Sequence, residues 1–213
     1  MKKYLAVYKG GSGEIIEKKS RFIAHVENVE SVGEAQEFIE LMKKEYWDAR
    51  HNCYAFSVGT DQPVTRCSDD GEPSGTGGKP ILEVIQGSGI QNIVIVVTRY
   101  FGGTLLGTGG LVRSYTQAAQ AALADAEVVR MCLCRVIGVE IEYSLLDKVL
   151  YYLKQQKVTP YDQVYTDKVS FMLTIARDRA DQICEGLISL SGGKAEILEV
   201  EEGFFPLRVS EEE

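Results

Sequence analysis

The stretch SDDGEPSGTGGKP (68–80) places Asp69, Asp70 and Glu72 within four positions, just ahead of Ser74, Thr76 and Lys79. Carboxylates at that density can hold Mg²⁺ through its water shell. The hydroxyls, the glycines and the lysine beside them suit a phosphate group. The same three carboxylates also read as a solvated acidic turn, which repels an RNA backbone unless a cation intervenes. The sequence requires no cofactor, and Mg²⁺ is the one this triplet could hold.

A second stretch, RYFGGTLLGTGGLVRSYTQAA (99–119), carries five glycines between Gly102 and Gly110. It follows an apolar β-branched run and leads into an Ala-rich helix. The first turn of a helix has unpaired N–H groups and a partial positive charge, so it attracts anions. Glycines let backbone approach such an anion without a Cβ in the way. Gly102, Gly103, Gly107, Gly109 and Gly110 supply that access. Thr104 and Thr108 add hydroxyl donors, and Arg99 stands at the strand end. No established nucleotide motif is met: Gly102 and Gly107 have Walker A spacing, but Thr108 stands where the lysine belongs, and G-x-G-x-x-G is absent. The competing reading assigns the glycines to tight turns and close helix-on-strand packing. Arg113 lies opposite the helix's apolar stripe and reads as solvated. Tyr100-Phe101 could stack on bases or simply pack.

His51-x-Cys53, with Cys67 on a neighbouring strand, raises a Cys–His nucleophile, although a cysteine in a strand more often fills a core. Five scattered cysteines without a C-x-x-C pair, and only two histidines, argue for reduced thiols and against structural zinc.

The elements that must position these groups are legible from periodicity. Residues 20–26 form a strand, and Ser31-x-x-Glu34 opens a helix as a capping box. Strands are predicted at 51–58 and 64–67, a helix from Pro80 to about Gln86, a buried strand at 93–98 and a helix to about Ala126. Beyond a boundary near 130–135, the pattern predicts a strand at 135–143 and a helix opened by Ser144-x-x-Asp147. Strands at 161–165 and 169–176, a helix from Asp178 to Gly192-Gly193 and a last strand at 195–201 follow. That β-α-β-β-α-β order is the ferredoxin-like plan. The expected fold is thus α/β (α+β), a two-layer arrangement with domains at 1–130 and 131–213.

Hydrophobic residues make up 45% and charged residues 25% of the chain, ordinary for a globular protein. The longest aliphatic run, Ile93–Val97, is far shorter than the roughly 20 residues of a membrane span. No secretion signal is read at the N-terminus, so a cytoplasmic location without membrane association is expected. The net charge of −8 works against purely electrostatic nucleic-acid binding, and nothing reads a DNA sequence. Most of the acidity lies beyond residue 130.

The blocks RYFGGTLLG (99–107), GGKPIL (77–82), SDDGEPSGT (68–76), KSRFIAHV (19–26) and HNCYAF (51–56) together resemble the signature of the IMPACT family, in its bacterial YigZ-like form. The match covers residues 14–127. The resemblance implies an N-terminal domain like the second domain of ribosomal protein S5, and a C-terminal domain similar to a late domain of elongation factor G. It therefore implies a place near the translation machinery, with RNA, the ribosome or translation factors as partners. Eukaryotic relatives regulate an initiation-factor kinase through an additional N-terminal domain. The family blocks here begin close to Met1, so that role is not expected.

Three functions follow. The leading one is a non-enzymatic RNA- or ribosome-associated protein that binds phosphate backbone through its Gly-rich loops. The alternatives are a Mg²⁺-dependent phosphate- or nucleotide-handling enzyme, and a protein-interaction module whose acidic C-terminal domain meets a basic partner.

Overall fold

The computed structural model describes residues 3–207, which divide into two compact units, one comprising Tyr4–Val129 and the other built mainly of the residues from Arg130 onward. The first unit contains β1 (Lys3–Lys9), β2 (Gly11–Glu17), β3 (Ser20–Asn28), α1 (Val32–Glu45), β4 (His51–Val58), β5 (Val64–Ser68), α2 (Gly78–Ser88), β6 (Ile93–Tyr100) and α3 (Gly107–Asp125). Its sheet runs β2-β3-β6-β4-β5, with antiparallel pairing throughout. The β-branched run of β6 lies at the centre, and Ile93–Val97 are all fully buried. Ile93, Ile95 and Val97 face α2 and α3, whereas Val94 and Val96 face α1. Burial on both faces explains the unbroken apolar sequence. It also means that α1 adds a third layer here, beyond the two expected.

The N-terminus of α1 follows its sequence signal. Ser31 Oγ accepts from the Glu34 N–H at 3.1 Å, and the Glu34 carboxylate accepts from the Glu30 N–H at 2.8 Å. Strand β2 carries no such signal, because GSGEIIE lacks strand formers at its start. Packing with α3 explains its glycines. A Cβ on Gly11 would lie 2.5 Å from the Ala126 nitrogen, and one on Gly13 would lie 2.6 Å from the Ala122 nitrogen. The glycines of β2 and the alanines of α3 thus let helix and strand approach closely.

The second unit contains β7 (Glu127–Ile141), a 3-10 turn (Tyr143–Leu145), α4 (Leu146–Gln155), β8 (Tyr161–Tyr165), β9 (Val169–Ala176), α5 (Arg177–Leu190) and β10 (Glu196–Leu207). The strands lie in the order β10-β7-β9-β8, all antiparallel, which is the ferredoxin-like arrangement. Both helices cover one face, where Val149, Leu153, Ile183 and Leu187 meet Ile137, Val139, Phe171 and Leu173. Strand β7 begins at Glu127 rather than Arg135, because its early residues also pair with β10, Arg130 opposite Leu207 and Arg135 opposite Glu202. Ser144 does not cap α4. Its hydroxyl donates to the Glu142 carboxylate at 3.4 Å, and the 3-10 turn leads in instead. Among the described residues, no helix is long and apolar enough to cross a membrane.

Candidate functional site

Strand register gathers the sequence-predicted residues at one end of the first unit's sheet. Arg21 pairs with Tyr100, His51 with Arg99, and Tyr54 with Ser68. The β2–β3 turn, the loop before β4, the loop after β5 and the loop after β6 therefore all open at that end, and α2 and α3 both begin there.

In the loop after β5, Asp69 turns its carboxylate inward. Oδ1 accepts from the N–H groups of Gly77 and Gly78, each at 2.9 Å, and Oδ2 from that of Gly75 at 2.8 Å. Burial alone would raise its pKa, but the three N–H groups outweigh burial and hold it below the usual aspartate value. The start of α2 is thus an anion site whose anion is the chain's own aspartate. The helix begins at Gly78, ahead of Pro80, because these bonds order the preceding glycines.

The other two carboxylates point elsewhere. Asp70, at φ +42°, accepts from the Asn52 N–H at 2.7 Å through Oδ2. Glu72 is buried, and its Oε1 accepts from Arg99 Nη1 at 2.7 Å and from the Tyr115 hydroxyl at 2.8 Å. The expected Mg²⁺ triplet of Asp69, Asp70 and Glu72 is therefore corrected: each carboxylate already has its own donors. Among the described residues, no group of three His, Cys, Asp or Glu could hold a metal.

Arg99 also departs from the expectation of a free anion ligand. It is buried, with its charge committed to Glu72 and its guanidinium between the rings of Phe22 and Phe101, 5.4 and 5.7 Å from their centroids. Its Nε has no hydrogen-bond partner. Thr76 is buried too, its hydroxyl donating to the Pro73 carbonyl at 2.6 Å, so it is withdrawn from any external anion. Ser74 and Lys79 are exposed.

The Cys–His reading fails on geometry. Cys53 is fully buried, and its thiol donates to the Asp69 carbonyl at 2.9 Å. Burial pushes that thiol well above the ordinary cysteine range. His51 Nδ1 instead meets the Asp70 carbonyl at 2.9 Å, and must carry the proton because a carbonyl only accepts. Both residues fasten the loop after β5 to β4.

The loop after β6 is different. Gly102 packs against the β2–β3 turn so closely that a Cβ would lie 2.0 Å from the Lys19 carbonyl carbon, and its N–H donates to Ser20 Oγ at 3.1 Å. Gly103 and Gly107 have φ of +84° and +71°, left-handed values that favour glycine. Gly110 is buried against Leu106 and serves packing. Thr104, Thr108 and Gly109 are exposed. The residue preceding α3, Leu106, makes no side-chain cap. Asp69 accepts from three N–H groups at the start of α2; among the described residues no carboxylate is seen to do so at the opening turn of α3. Lys18 and Lys19 are exposed in the turn against which Gly102, five residues ahead of α3, packs. Neither lysine is singled out in the sequence, because their position depends on the unrecognised β2–β3 hairpin.

Residues 18–123 match the Impact N-terminal domain, and residues 139–194 match a domain of unknown function, DUF1949. Over 198 residues the chain is 37% identical to the IMPACT family member YvyE of Bacillus subtilis, with 93% of this chain and 91% of that protein covered. The chain belongs to the IMPACT family. A second IMPACT relative, YigZ of Escherichia coli, is 35% identical over 87% of this chain and 92% of its own length. A crystal structure described as that of a hypothetical protein covers 94% of this chain and 98% of its own, at 33% identity and a TM-score of 0.62. The IMPACT match encloses the clustered loops and both helix N-termini just described.

Proposed function

We propose that this protein works without catalysis as an RNA- or ribosome-associated factor in translation, docking phosphate backbone at the N-terminus of α3. The observation that carries the reading is the contrast between two helix starts at the same end of one sheet. Asp69 fills the start of α2, whereas the start of α3 follows a leucine that cannot cap it, is glycine-lined, and is led into by a loop that packs on the exposed turn of Lys18 and Lys19. A phosphate oxygen supplies what such a terminus lacks. Thr104, Thr108 and Gly109 are the residues placed to touch it, and exposed Phe101 offers a face for a base. Family resemblance supports translation as the setting, and the cytoplasm as its place. Arg99, Glu72 and Tyr115 take a supporting part as the buried foundation of both loops.

The test is co-sedimentation with purified ribosomal subunits, comparing the natural chain with a Lys18→Glu/Lys19→Glu variant. Retention by the natural chain and at least tenfold weaker retention by the variant supports the reading. Equal retention of both removes the loop from it.

A further inference from the structure

The ferredoxin-like sheet has one face covered by α4 and α5; on the other face Cys132, Cys134 and Val136 are buried, and the part around Gly138 is open. Along β7, Ile137, Val139 and Ile141 join the helical core, as do Val169, Phe171, Leu173 and Ile175 of β9. Alternate positions face the other way: Gly138 and Glu140 on β7, Ser170 and Met172 on β9. The open face holds a hollow of about 580 Å³ whose floor includes Gly138, Met172, Val164 and Leu198. Leu198 is 69%, Val200 54% and Val164 52% exposed.

Gly138 makes the hollow, and no backbone constraint demands a glycine there. Its φ is not positive, and a Cβ would meet Met172 Sδ at 3.6 Å, an ordinary contact. A side chain would fit, yet the strand leaves the centre of its face empty. The rim is acidic. Glu140 and Glu196 share Lys168, each at 2.7 Å, while Asp162 forms no ion pair among the described residues. That leaves three carboxylates to one ammonium, on a domain that carries 9 basic and 15 acidic residues from position 131 onward.

We propose that this open face is a docking surface for a basic segment of a partner protein, which seats a large apolar side chain over Gly138 and sets Lys or Arg against the rim. Charge complementarity selects that occupant. Sheets of this topology that bind RNA stack bases on aromatic side chains of their middle strands. Here the middle strands β7 and β9 present Gly138, Ser170 and Met172, and the carboxylates repel phosphate. The surface lies within the second unit and is independent of the α3 reading.

The probe is a fluorescein-labelled 12-residue peptide of alternating Lys and Leu, compared with Glu/Leu and Lys/Ser peptides of the same length. Binding to the full chain is read by anisotropy and located by amide chemical shifts. The Lys/Leu peptide is expected to bind at least tenfold tighter than either control, shifting Gly138, Val164, Met172 and Leu198. Gly138→Val, which fills the hollow, and Leu198→Ser are each expected to weaken binding at least tenfold while the rest of the amide spectrum keeps its pattern. Equal binding of the Glu/Leu peptide, unchanged affinity in folded Gly138→Val, or no binding of the Lys/Leu peptide overturns the proposal. So does a uridine 12-mer that shifts the same amides, which would mark an RNA surface. Self-association abolished by Gly138→Val would make the occupant a second copy and overturn it equally.

Discussion

Arg99 and Glu72 form an ion pair of 2.7 Å, Nη1 to Oε1, between side chains only 8% and 3% exposed. Charges this deep are costly to separate, because removing one partner leaves the other buried and uncompensated. Tyr115 donates to the same carboxylate oxygen, so three elements (the loop after β5, the end of β6 and α3) meet at one atom.

Replacing Arg99 with alanine is therefore expected to destabilise the first unit by about 3–5 kcal/mol. Tyr115→Phe, which removes one hydrogen bond and little volume, costs about 1–3 kcal/mol. Urea unfolding followed by tryptophan fluorescence measures both, since the sole tryptophan, Trp47, lies in that unit. A loss below about 1 kcal/mol in Arg99→Ala would mean that the pair is solvated.

Asp69 should make the same unit acid-sensitive. Its folded pKa lies below the ordinary value of 3.8, so its contribution is fully present above that value. The contribution disappears as pH falls through 3.8 and then through the folded pKa. Asp69→Ala is expected to cost about 1–2 kcal/mol at neutral pH, the range for a lost helix cap. It should also flatten the decline of stability below about pH 4. An unchanged acid limb in the variant would assign the acid sensitivity to other carboxylates.

The glycines after β6 separate by role. Gly102→Ala drives a Cβ into backbone at 2.0 Å and should unfold or displace the loop, costing several-fold more than Gly109→Ala. At Gly109 the nearest atom to a new Cβ is Arg113 Nη1 at 3.8 Å, so alanine there should change stability by less than about 1 kcal/mol. Thermal denaturation of the two variants decides it, and equal losses would contradict the packing account.

Thiol reactivity follows burial in the same way. Cys67 is exposed on β5, while Cys53, Cys132 and Cys134 are buried. In the folded chain an aromatic disulfide reagent should label Cys67 rapidly and leave Cys53 unlabelled until unfolding. Mass spectrometry of the labelled peptides shows the order, and early labelling of Cys53 would reopen a nucleophile at that position.

Much of this architecture was legible from residue order. Alternation alone marked β9, where Val169, Phe171, Leu173 and Ile175 are buried in turn, and Ser31 with Glu34 marked the start of α1. Strand β2 was not legible, because its glycines make sense only against α3, more than a hundred residues later. The site divided along the same line. Glycines flanking a helix start announced an anion site. Whether the anion comes from outside or from Asp69 depends on how one loop folds over α2, which no local pattern encodes. Glu72 reads as an acidic surface residue until Arg99 and Tyr115 are placed beside it.

The proposed engagement of phosphate backbone by the start of α3, with Lys18 and Lys19, is open to direct test. The most direct measurement is the affinity of the purified chain for a single-stranded RNA across a salt series, beside the Lys18→Ala/Lys19→Ala variant. Each lost phosphate contact lowers the slope of log affinity against log salt by about 0.7, so the double variant should be shallower by about 1.4. A natural chain that binds no RNA at low salt, or a variant with the same affinity and slope, would contradict the account.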